Sequence, residues 1–167
     1  MPSLPDPLHP ALVHLPLGLA VLLPLATLLC LAAIARGFLP ARAWWGVVLV
    51  AAVLAAGSLA TAEAGEDQAE RVEPVVGKDA LHAHEERGEW FVRLAIGTAV
   101  LAATGLLGGR PGRVARIATL AASVLLLAAG IRAGESGGHL VYVHGAANAY
   151  LDPAHGGAPP PAHVHEP

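Results

Sequence analysis

The stretch from His9 to Ala35, HPALVHLPLGLAVLLPLATLLCLAAIA, decides the fold. It holds no Asp, Glu, Lys or Arg. From Ala11 to Ala35 a helix rising 1.5 Å per residue reaches about 37 Å, enough for a hydrocarbon core of about 30 Å. The leader MPSLPDPLHP carries Asp6 and no Lys or Arg, and the run is too long for the apolar centre of a signal peptide. The run is therefore expected to be retained as a membrane helix. Three further apolar runs follow, Trp44 to Ala62, Trp90 to Leu107 and Val114 to Ile131. None alternates with period two, which excludes a membrane β-barrel.

The expected architecture is an all-α polytopic membrane protein. Residues 1–151 form a four-helix transmembrane domain with helices at about 11–35, 44–62, 80–107 and 114–131. Residues 152–167, DPAHGGAPPPAHVHEP, read as a flexible Pro/Gly/His tail. Composition agrees: of 167 residues 54% are hydrophobic and 14% charged, too few charges for a disordered chain or a soluble surface. A net charge of -3 gives no basic footprint, so no nucleic acid is expected as a partner. Cys30 is the single cysteine, which excludes an intramolecular disulfide and a Cys-based zinc site. Small residues recur at spacing four, at Ala52, Ala56 and Ala60 and at Ala95, Ala99 and Ala103, and predict close helix contacts. A homo-oligomer stays open.

Orientation rests on arginine density. Arg36, Arg42, Arg110 and Arg113 lie in two short turns, with Arg116 just beyond, and no acid stands among them. The positive-inside rule makes that side cytoplasmic. Both termini and a long loop from Glu63 to Glu89 then lie outside the cytoplasm, in a bacterial inner membrane, together with all thirteen acids.

Nine histidines are the outlier, and an even number of spans puts them all on that second side. His14 stands inside LVHLPLGL, where an imidazole needs a partner. Pro10 suits a first helical turn and places His9 near the N-cap. Pro16 takes the bond from the Leu12 carbonyl, so a kink just beyond His14 is expected. His9 and His14 are about 140° apart on an ideal helix and do not share a face. On the third helix Asp79 is a candidate N-cap, and His84 falls near the interface. Gly18 and Gly88 follow His14 and His84 at i+4, leaving room beside each imidazole for a flat ligand. After the fourth helix, Leu140 to Val143 reads as a short strand or a re-entrant turn. Arg87, Arg93 and Arg132 lie at the same level and suit carboxylates, or snorkel to headgroups.

HPALVHLP from His9 to Pro16, the His84-Glu85 pair and GGHLVYVHG from Gly137 to Gly145 resemble a bacterial four-span membrane family catalogued as domain of unknown function 2231. The resemblance covers roughly residues 8–150. His9, His14, His84 and His144 match its histidines, whereas His82, His139, His155, His163 and His165 are extras of this chain. Position 15 is Leu where the family often has Phe. The family looks related to four-helix b-type cytochromes and is sometimes fused to Rieske or cytochrome c modules, which implies electron traffic. This chain has no CxxCH site and no cluster cysteines, so any such redox partner is a separate protein.

The leading expectation is a haem b protein in electron transfer, with His14 and His84 as axial ligands from different helices and His144 and His9 as second choices. An alternative is a membrane protein that binds or handles copper or zinc through the same imidazoles, the tail recruiting the ion. A third is a cofactor-free scaffold subunit. Hydrolysis is disfavoured, because Ser58 and Ser123 lie far along their helices from the histidine side. GLLGGRPG from Gly105 to Gly112 lacks the Lys and the strand of a phosphate loop.

Overall fold

The structure, a computed structural model, describes residues 7–151. The tail reading, with its three histidines, falls outside the described residues. Helix α1 (Leu8–Leu12) leads into α2 (His14–Ala35), and α3 (Trp45–Val76), α4 (Lys78–Thr104) and α5 (Gly109–Tyr142) follow. Short 3-10 turns occupy Ala41–Trp44 and Ala146–Tyr150. The break between α1 and α2 falls at Val13, where Pro16 has no N–H for the Leu12 carbonyl.

Each long helix packs on two neighbours: α3 lies between α2 and α4, and α5 closes the ring between α4 and α2. Leu8–Ala35, Ala41–Val76 and Gly109–Tyr142 are each long and apolar enough to cross a membrane. Helix α4 has comparable length, 27 residues, but Arg87, Glu89 and Arg93 stand at the start of its apolar part and the helix stops at Thr104. It completes the bundle between α3 and α5 rather than qualifying by its own composition.

Two local expectations are corrected. The stretch Glu63 to Glu89 is helical apart from Gly77, and Leu140 to Tyr142 is the last turn of α5 rather than a strand. Helices of 32 and 34 residues are roughly 48 and 51 Å long, so α3 and α5 project beyond a core of about 30 Å. Their projecting ends meet the start of α4 around a small second core of Val76, Leu81, Leu140 and Ala146. That cluster supplies the packing that lets charged helix persist in water. Gly77, at φ 83°, makes the one-residue joint between α3 and α4, a backbone state that favours glycine.

The main core holds Leu23, Leu54, Phe91 and Leu126, with Ala20, Ala51, Ala95 and Ala102 letting backbones approach. The row Ala52, Ala56 and Ala60 lies exposed on the outer face; the buried row one position away is Ala51, Ala55 and Ser58. Buried hydroxyls of Ser58, Thr98 and Thr119 donate to carbonyls one turn back on their own helices. At the arginine end Trp44 is fully buried, and its Nε1 donates to the Ala102 carbonyl at 2.8 Å. Arg116, 8% exposed, donates from Nε to the Gly105 carbonyl at 2.7 Å and carries its guanidinium 5.5 Å from the Trp44 ring centre.

Candidate functional site

The opposite end of the bundle is closed by two imidazoles. His9 on α1 donates from Nδ1 to the Thr61 carbonyl of α3 at 2.8 Å, since a carbonyl can only accept. His84 on α4 lies 2.9 Å from the Ser136 hydroxyl of α5 through its own Nδ1. Ser136 donates its proton to the Ala133 carbonyl, so the hydroxyl accepts from His84. The two ring centres are 6.1 Å apart and the planes stand at 88°. Both rings therefore carry hydrogen on Nδ1, and neither Nε2 has a hydrogen-bond partner among the described residues. Fixing one ring nitrogen so that the other is left as a lone pair is the arrangement that supporting residues impose on a metal-binding histidine.

Each ring rests on a glycine. A Cβ at Gly65 would stand 3.0 Å from His9 Nδ1, and a Cβ at Gly137 would stand 3.1 Å from His84 Cε1. Any larger residue there has to displace the imidazole. His84 precedes the apolar part of α4, and its pKa falls to about 4, first through burial, then through the neighbouring His9 and the Arg87 guanidinium. At neutral pH it is an uncharged imidazole, the ligating form.

The other sequence candidates lie elsewhere. His14 opens α2 with its side chain on the exposed surface, so the structure brings His84 together with His9 and not with His14. The break at Val13 leaves His9 facing α3 and His14 outward. His144 is exposed beyond the end of α5, His139 is exposed, and His82 faces Glu85 at 3.8 Å in the open. A Cβ at Gly18 or Gly88 would meet nothing within 4 Å; the glycines that touch imidazole are Gly65 and Gly137. Arg87 and Arg132 line a cleft with Glu135, Ser136 and His139, directly beside the hydroxyl that holds His84. Arg93 is engaged with Glu89 at 2.7 Å and with the Trp90 face at 5.5 Å.

Sequence reasoning missed Thr61, Gly65, Ser136 and Gly137. Ser136-Gly137 sits in the ESGGH stretch, whose small residues end a polar helix turn just before a histidine; Gly65 stands alone in an acidic helical stretch, AEAGEDQ. Both glycines were visible as small positions, but the imidazoles they seat belong to other helices. Among the described residues no three His, Cys, Asp or Glu side chains gather to hold a metal ion. A closed tetrahedral zinc site needs four donors, so these residues do not build one.

Among protein families, the profile described as "Predicted membrane protein (DUF2231)" matches residues 5–150. Neither the curated proteins nor the solved structures contain a match to the chain.

Proposed function

The chain belongs to the DUF2231 family of predicted membrane proteins, and from that premise we propose that it is an integral membrane haem b protein acting in electron transfer, in which His9 and His84 would hold the haem. The observation that carries this reading is the meeting of two imidazoles from separate helices, each held through Nδ1, with no third His, Cys, Asp or Glu donor gathered there among the described residues. A porphyrin supplies four nitrogens itself, so two protein ligands suffice for haem where they do not for zinc. With their centres 6.1 Å apart, the two imidazoles stand close enough that both would hold one such group. Arg87 and Arg132, in the cleft beside Ser136, suit the propionates, whose carboxylates match the guanidinium fork. When bound, haem supplies a one-electron couple; the chain binds it, keeps the rings neutral and aims them. The donor or acceptor is a separate protein, of Rieske or cytochrome c type.

The test is the absorption spectrum of protein purified from haem-replete cells, oxidised and then reduced with dithionite. Sharp reduced bands of a low-spin bis-imidazole haem are expected. Colourless protein carrying stoichiometric copper overturns the reading in favour of metal handling, since copper(I) accepts two imidazoles. Colourless, metal-free protein overturns it in favour of the scaffold.

On this reading the site faces the extracytoplasmic side of an inner membrane, a topology that the crowding of Arg36, Arg42, Arg110 and Arg113 at the other end supports. In a Cys30→Ala background, a cysteine at Gly77 is expected to react with a membrane-impermeant reagent in intact cells, and one at Arg110 to stay unlabelled. The reverse pattern inverts the topology.

A further inference from the structure

At the arginine end a groove runs along the outer face of the α4–α5 pair. Its walls are almost wholly apolar, with Leu101, Leu107, Val114 and Ala118 along its length and Arg110 at its mouth. Leu107 and Val114 are among the exposed large apolar side chains. Arg93 meets Glu89, and Arg116 meets the Gly105 carbonyl. Arg110 is exposed with no ion pair or hydrogen bond among the described residues, and every described acid lies towards the opposite end of the bundle.

An apolar channel that ends at an unmatched guanidinium group is complementary to one class of ligand, an acyl chain bearing a phosphate. We propose that this groove seats an anionic phospholipid, its chain along Leu101, Leu107, Val114 and Ala118 and its phosphate on Arg110. The site rests on the membrane reading and is independent of the haem. One cation near an anionic bilayer contributes an attraction that corresponds to about a fivefold preference over a zwitterionic lipid.

Protein reconstituted in bilayers of equal parts phosphatidylglycerol and phosphatidylcholine, then released into detergent for native mass spectrometry, provides the test. Retained phosphatidylglycerol is expected in about fivefold excess. The R110A variant should lose that excess, and V114W should lose the retained lipid with Arg110 intact. R42A, at the same end but outside the groove, should behave as the parent. Equal retention of the two lipids overturns the proposal. So does an excess that survives R110A, or one that V114W leaves unchanged while inorganic phosphate displaces it, which describes a surface anion site only.

Discussion

Replacing either His9 or His84 by alanine is expected to abolish the low-spin haem spectrum, whereas replacing His14 or His139 leaves it intact. The first two imidazoles meet with ring centres 6.1 Å apart, while the other two lie on the exposed surface. Each replacement removes one of the two imidazoles that would hold the haem, so the iron becomes high spin or the haem is lost on purification. Weaker variants grade the effect. S136A removes the acceptor for His84 Nδ1 and should cost about tenfold to a hundredfold in haem affinity, the range seen when an outer hydrogen bond to a ligand is lost. G137V crowds the His84 ring from the α5 side and should act in the same direction. Equal loss in H14A and H9A would show that the break at Val13 does not set which histidine turns inward.

Trp44 and Trp45 stand side by side in the sequence and should differ sharply when truncated. Trp44 is 0% exposed and Trp45 is 62% exposed. W44A leaves a cavity between α3, α4 and α5, which in a close-packed core costs about 3–5 kcal/mol. It also strips the Ala102 carbonyl of its donor and the Arg116 guanidinium of the ring beside it. W45A exchanges an indole for lipid contact and should cost little. Thermal unfolding in detergent should show W44A lower by about 10 °C or more, with W45A close to the parent. G105A belongs with the first of these, because a Cβ there would collide with Trp44 Nε1. If both tryptophan variants melt together, the arginine end is not held by this packing.

The four apolar runs made the bundle legible, because length and lack of charge are written directly in the chain. The projecting ends were not. Glu63 to Glu89 is polar, acidic and interrupted by Gly77, which by composition reads as loop; its helicity comes from Val76, Leu81, Leu140 and Ala146 meeting across three helices. The same distinction separates the two halves of the candidate site. That His9 and His14 fall on different faces follows from five residues of helix. Which face turns inward depends on Thr61 and Gly65, far along the chain, whereas depth in the apolar run pointed to His14, whose side chain lies exposed. His84 was legible because it opens a helix beside its acids; its seat, Ser136 and Gly137, was not.

The two hydrogen bonds at the mouth each span 52 residues, His9 to Thr61 and His84 to Ser136. The first lies wholly before Gly77 and the second wholly after it, so each half of the chain finishes one imidazole without help from the other. Neither half owns a pair. The 6.1 Å between the rings is a gauge of how closely two separately completed hairpins pack, α3 on α4 and α2 on α5. A substitution that loosens either seam would part the imidazoles while leaving both of their supporting bonds intact.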